Sequence, residues 1–210
     1  MKPLIVLVHI PKTGGTSLRV AAEQYFGKRR MLYDYGTKAR LTSELVREWV
    51  YEKQDMEGFA AMVRREKIRF FSGHFHLEKY SEVFPDAHFV SWIRKPSCRL
   101  WSAWRHFAMH HGFEGSFEDF YRSPRFQNQQ ERFIGRNPDE FAFIGITERF
   151  GPSLNRFNRM FGLKLKQHRS NKTPGGGLSG PTADDLSAIS RLNSADEALY
   201  AELDERFVNG

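Results

Sequence analysis

Lys12-Thr-Gly-Gly-Thr-Ser17 concentrates one cation, two glycines and three hydroxyl side chains in six residues, a composition suited to holding an anion. An apolar, β-branched run, Leu4–Ile10, leads into it and a helical pattern follows. Where a strand turns through glycines into a helix N-terminus, backbone N–H groups converge and the helix dipole adds to them. The absent side chains let a phosphate come close. Pro11, Lys12, Thr13, Gly14, Gly15, Thr16 and Ser17 therefore form a candidate phosphate cradle. Further along, Ile93-Arg-Lys-Pro96 places a guanidinium at the end of a second apolar run, and Gly73-His-Phe-His76 ends a third with two imidazoles. Arginine can hold a phosphate through two parallel hydrogen bonds, which lysine cannot. Histidine titrates near neutrality and can take a hydroxyl proton. His74 and His76 share a face if their segment is extended.

The motif is not a magnesium-nucleotide loop. In G-x-x-x-x-G-K-[ST] the lysine follows the glycines, and the partner strand carries an Asp for the metal. Here Lys12 precedes Gly14-Gly15 and the partner strand ends in Arg94. A bare anion calls for guanidinium, whereas magnesium-ATP calls for carboxylates. The ligand indicated is phosphorylated and free of metal.

The elements that must position these groups follow from periodicity. Leu4–Ile10 does not alternate, so it reads as a central strand buried on both faces. Thr16–Phe26 reads as a helix closed by Gly27, and Ser43–Glu52 and Met56–Arg65 as amphipathic helices, the first with a Ser or Thr cap. Strands are expected at Arg69–Ser72, Ala87–Ile93 and Phe141–Thr147, and helices at Ser97–Ala108, behind Pro96, and at Glu148–Phe161. After a glycine- and proline-rich stretch, 170–181, read as a mobile loop, two more helices follow. One begins near Ala183 and the other at a Ser194-Ala-Asp-Glu197 capping box. Strands alternating with helices predict a three-layer α/β fold with a mainly parallel sheet, as one domain over 1–210. Ligands of such folds bind beyond the carboxyl ends of the strands, so Lys12, His74 and Arg94 should converge.

Composition narrows the setting. A net charge of +7 over 210 residues favours anionic partners, but no stacking motif or nucleic-acid module is present, so nucleic acid is not expected. The single cysteine, Cys98, excludes an intrachain disulfide framework. No apolar run reaches 18 residues, and Met1 stands three residues before the first strand. A cytoplasmic protein without leader or membrane anchor is therefore expected.

His9-Ile-Pro-Lys-Thr-Gly-Gly-Thr-Ser17 and Ile93-Arg-Lys-Pro-Ser-Cys-Arg-Leu-Trp-Ser102 resemble the two binding motifs of sulfotransferases that use 3′-phosphoadenosine 5′-phosphosulfate (PAPS). The resemblance is nearest to the carbohydrate branch typified by heparan sulfate 2-O-sulfotransferase. It implies a P-loop, nucleotide-kinase-like core and PAPS as co-substrate, with no metal. The first loop would take the 5′-phosphosulfate, Arg94 and Ser102 the 3′-phosphate, and His74, in a Gly-His motif, would be the general base. Lys12 would stabilise the leaving phosphate, and Lys172 with Thr173 would match the family's Lys/Arg-Thr segment that closes over the nucleotide. The acceptor implied is a hydroxyl-bearing partner, a glycan or glycosylated small molecule, with His76 as a substrate contact or rival base. The ending Leu192-Asn-Ser-Ala-Asp-Glu-Ala-Leu-Tyr200 resembles the family's C-terminal helix.

Plainer readings stand beside these. The glycines could serve only a tight turn, Arg94 could pair with Glu148, and Lys172-Thr173 could be a solvated loop. Arg99 could add charge to the phosphate site or face solvent. Trp101, Trp104 and Phe107 have core spacing, and His106, His110 and His111 lack a Cys or carboxylate at ligand spacing. Arg29-Arg30, Arg64-Arg65 and Arg132 read first as solvated surface. An ATP-dependent phosphotransferase and a non-catalytic nucleotide or polyanion binder are the alternative functions.

Overall fold

The computed structural model describes residues 3–135, 137–167 and 180–209. In chain order the elements are β1 (Ile5–Val8), α1 (Gly15–Phe26), β2 (Met31–Asp34), α2 (Glu44–Val46), α3 (Met56–Arg65), β3 (Phe70–Gly73), α4 (Glu78–Ser81) and β4 (His88–Ile93). They continue with α5 (Pro96–His110), α6 (Phe117–Arg122), α7 (Gln129–Ile134), β5 (Phe143–Ile146), α8 (Phe150–Phe161), α9 (Ala183–Leu192) and α10 (Ser194–Asn209). The five strands form one sheet in the order β2-β3-β1-β4-β5, and every pairing is parallel. β1 is thus central, as its continuous apolar run predicts. The order reverses at β1, so the loops after β1 and β4 leave the carboxyl edge side by side, where open α/β sheets place ligands.

Strand pleating sorts the side chains into two cores. Val6, Val8, Phe71 and Ile93 pack with Phe59 and Val63 of α3 and Leu199 and Leu203 of α10. Ile5, Leu7, Phe70 and Trp92 pack with Leu18 and Ala22 of α1 and Leu154 and Phe157 of α8. Successive residues of β1 enter opposite cores, which gives the three layers the sequence implies. A third cluster, built on Leu100, Ala103, Phe120 and Ile189, joins α5, α6 and α9. Trp101, Trp104 and Phe107 pack against it, as their spacing suggests.

Several local expectations are corrected. β2 was not legible: Met31-Leu-Tyr-Asp34 is short and ends in a buried aspartate. The Asp34 carboxylate is accommodated because it accepts from Lys79 Nζ (2.6 Å), Tyr51 Oη (2.6 Å) and Tyr80 Oη (2.8 Å). All three donors are distant in sequence. The helix expected over Ser43–Glu52 is one α turn followed by a wider π turn, Arg47–Glu52, in which the Lys53 N–H donates to the Glu48 carbonyl at 2.8 Å. Ser43 stands at the N-cap position as expected, but its side chain makes no cap bond; its hydroxyl accepts from the Tyr33 N–H of β2 at 3.0 Å. α10 starts at Ser194 itself, with the Glu197 N–H donating to the Asn193 carbonyl, so Ser194 is inside the helix and not its cap. Capping boxes occur instead at Ser116–Asp119 and Thr182–Asp185. Apart from residues 180 and 181, the segment expected as a mobile loop lies outside the described residues, as do Lys172 and Thr173. Among the described residues no helix is long and apolar enough to cross a membrane.

Candidate active site

The loop after β1 turns through two left-handed residues, one of them a glycine. Lys12 has φ 69° and Gly14 has φ 87°, both left-handed, and the Thr13 hydroxyl turns inward to donate to the Ile10 carbonyl at 2.9 Å. α1 then starts at Gly15 without a side-chain cap and without an acidic residue in its first turn. Its leading amides and dipole are left for an external anion. Gly15 is required by contact and not by conformation. A Cβ there would lie 2.6 Å from His9 Nε2 and 2.8 Å from Cγ, and closer still to Cδ2.

His9 is the buried support of that turn. Its Nδ1 shares a 2.8 Å hydrogen bond with Tyr35 Oη, which in turn lies 3.0 Å from Ser72 Oγ. Burial holds His9 well below the ordinary histidine pKa, and the nearby His74, Arg19 and Lys12 push the same way. It is neutral.

His74, just beyond β3, reaches the same loop. Its Nδ1 lies 2.6 Å from the His9 carbonyl oxygen, and the two rings are 4.7 Å apart. A carbonyl can only accept, so Nδ1 carries the proton and Nε2 keeps a free lone pair. Loss of hydration lowers the His74 pKa, while the hydrogen bond to the His9 carbonyl and the Asp34 charge partly restore it. The result is an unprotonated imidazole at neutral pH, at the exposed mouth of the site.

Arg94 closes the arrangement from β4. Its Nη1 donates to the Lys12 carbonyl at 3.2 Å, so the two motifs meet. Burial first, and the Arg94 charge second, lower the Lys12 pKa. The Glu148 pairing foreseen as the plainer reading is present but loose: Arg94 Nε stands 3.9 Å from Glu148 Oε1 and is buried with no hydrogen-bond partner. One Glu148 oxygen is already engaged by the Lys95 N–H at 3.1 Å, the other by Tyr200 Oη at 3.2 Å. Ser102 sits half-buried two turns along α5. His106, one turn further along the helix, has its pKa lowered by burial first and by the Lys12 charge second.

Other expectations are redirected. His76 is exposed like His74, but its Nδ1 lies 2.7 Å from the Arg132 carbonyl and its ring stacks on Phe133 at 4.8 Å, so it is tied to α7 and not to the loop. Arg99 neither faces solvent nor serves the loop. Fully buried, it donates to the Phe126 carbonyl and to Gln129 at 2.8 Å and stands 3.9 Å from Asp196. Burial lowers its pKa to about 10 despite that carboxylate. Arg132 turns onto the carbonyls of Arg125, Gln127 and Asn128. Among the described residues no group of three or more His, Cys, Asp or Glu side chains could hold a metal ion.

Two positioning residues carried no sequence signal. Gln130, fully buried, accepts from the Arg94 N–H at 2.7 Å and donates to its carbonyl at 2.8 Å, clamping the arginine's backbone. Thr147, after β5, places its hydroxyl between the Thr13 and Ile93 carbonyls, stitching the cradle to β4. Both act through contacts remote in sequence, which no local spacing announces.

No protein-family model and no curated protein matches the chain. Among solved structures, a sulfotransferase from Alicyclobacillus acidocaldarius superposes with a TM-score of 0.55 at 16% identity, covering 94% of each chain. This is the sulfotransferase fold. A sulfotransferase domain from the curacin biosynthetic pathway gives 0.48 at 11% identity over 96% of this chain and 98% of that one. A mouse sulfotransferase in complex with PAP gives 0.48 at 15% identity over 94% and 66%. At 16% identity the Alicyclobacillus structure shows a shared fold alone, and activity has to be argued from the side chains at the carboxyl edge.

Proposed function

We propose that this chain is a sulfotransferase that moves the sulfuryl group of PAPS to an acceptor hydroxyl, on a carbohydrate or glycosylated molecule, without a metal. The observation that carries the reading is the meeting of the two motifs. Arg94 reaches the Lys12 carbonyl, yet its Nε is buried and unpartnered beside an uncapped helix N-terminus. Two neighbouring cations and an orphaned guanidinium N–H suit a ligand with separated anionic groups.

The donor supplies a sulfuryl group that passes between oxygens, by analogy with in-line phosphoryl transfer. Lys12 and the Gly14–Ser17 amides offset the charge that grows on the departing phosphate, as preorganised donors do. Arg94, with Ser102 two turns away, holds the 3′-phosphate. His74 Nε2 accepts the acceptor's hydroxyl proton, its Nδ1–H being fixed by the His9 carbonyl. Lys172 and Thr173 are proposed to close over the nucleotide, and His76 to contact the acceptor at the rim.

The test is transfer of labelled sulfate from PAPS to a panel of oligosaccharides and simple alcohols with chelator present. Turnover that His74→Ala abolishes while leaving product-nucleotide binding intact supports the reading. Tight nucleotide binding with no transfer to any hydroxyl would make the chain a binder, and, in a parallel assay without chelator, turnover only with magnesium-ATP would make it a phosphotransferase.

A further inference from the structure

Arg29-Arg30, which read from sequence as solvated surface, belong to a basic turn, Lys28-Arg29-Arg30. It lies at neither the carboxyl edge nor the cradle. β2 begins at Met31, so the turn sits at the amino ends of the strands, on the side of the sheet opposite the candidate active site.

The register there sets two arginines side by side. Met31 pairs with Phe70, and one step earlier the Arg69 N–H donates to the Arg30 carbonyl at 2.9 Å. Like charges at adjacent positions of neighbouring strands repel. Sheets normally relieve this with a carboxylate, but here Arg30 and Arg69 line a cleft of about 470 Å³ whose other walls are Tyr25, Phe26 and Leu163. Among the described residues no acidic side chain lines it. Among the described residues neither arginine forms an ion pair or a side-chain hydrogen bond. Arg69 is half-buried, its guanidinium carbon 5.9 Å from the centre of the Phe26 ring and its Nε buried without a partner. Lys28 and Arg29 stand exposed in the same turn and add to the positive field.

We propose that this cleft is a second ligand site, taking a phosphate or sulfate group carried on a flat apolar ring. The anion bridges the Arg30 and Arg69 guanidinium groups and cancels the repulsion between them. The ring lies against Phe26 and Leu163, with the Tyr25 hydroxyl at the rim. The cation pair selects an oxyanion, since a bidentate guanidinium matches phosphate and sulfate geometry. The aromatic walls select a planar body over a free ion. The proposal does not depend on sulfuryl transfer at the other edge.

Phenyl phosphate titrated calorimetrically is the probe, and Lys12→Ala protein is used so that the cradle does not compete. One binding site is expected in Lys12→Ala, with inorganic phosphate at least ~10-fold weaker. Adding Arg30→Gln should weaken phenyl phosphate by at least ~10-fold, the scale of a charge-assisted hydrogen bond. Arg30 is exposed, so the unliganded Arg30→Gln protein should melt no lower than its parent. Absence of binding in Lys12→Ala, equal affinity with and without Arg30→Gln, or equal affinity for inorganic phosphate would overturn the proposal.

Discussion

Replacing Gly15 by alanine tests whether the cradle's shape is set by the buried His9 ring. The new Cβ would stand 2.6 Å from Nε2 and 2.8 Å from Cγ, well inside van der Waals contact. The ring cannot swing away freely, because Tyr35 Oη bonds its Nδ1 at 2.8 Å and the His74 ring packs 4.7 Å from it. Overpacking of this kind costs about 1–3 kcal/mol. For a domain of this size that is a fall in Tm of roughly 2–12 °C. Gly15 is not among the residues with positive φ, so backbone strain does not contribute. The decisive assay is thermal denaturation of Gly15→Ala, His9→Ala and the double variant. With the ring removed, Gly15→Ala should be neutral or stabilise by about 0.4–1 kcal/mol, the usual gain from restricting the unfolded chain. The two substitutions should therefore couple by about 1–4 kcal/mol. A Gly15→Ala protein that melts with wild type, or one whose penalty is the same in the His9→Ala background, would refute this account of the loop.

Further expectations follow from the same contacts. Because burial lowers the His74 pKa, its base form should persist below pH 6.5, and kcat/KM should fall only under that value; a limb above pH 6.5 would argue for another base. His9 stays neutral when folded but takes a proton when unfolded, so the unfolded state binds more protons and Tm should decline as pH drops below about 6.5. Arg94→Lys keeps the charge but loses the fork, and should raise the nucleotide Kd by ~10-fold or more with Tm unchanged; a matching affinity would show that only charge matters. Asp196→Ala strands the buried Arg99 and frees the Glu131 N–H it accepts from at 2.8 Å, which should cost about 3–5 kcal/mol by urea unfolding, whereas Arg99→Met with Asp196→Leu should recover most of that.

Legibility depended on whether a feature announces itself locally. β1 and its cradle could be read because an unbroken β-branched run meeting glycines has few other meanings. The end of β4 could be read because Arg94 and Pro96 punctuate the apolar stretch before them. β2 could not, since the charge on Asp34 argues against a buried strand until Lys79, Tyr51 and Tyr80 are seen around it. Arg99 misled for the same reason: its carboxylate partner, Asp196, lies almost a hundred positions away in the chain. The convergence of Lys12 and Arg94 followed from strand topology alone. What holds them there, Gln130 and Thr147, is side-chain chemistry between remote segments and leaves no periodic trace. The Gly-His resemblance favoured His74 over His76 in sequence, and in the structure the His74 Nδ1 meets the cradle while the His76 Nδ1 meets α7.

The proposed function requires one anionic ligand to span Lys12 and Arg94, with phosphate groups at both ends of its sugar. It is tested most directly by titrating 3′-phosphoadenosine 5′-phosphate and 5′-AMP into the protein in metal-free buffer. The 3′-phosphate should improve binding at least ~10-fold, and Arg94→Gln should erase that difference while leaving 5′-AMP affinity nearly unchanged. Equal affinity for the two nucleotides would contradict the two-ended site.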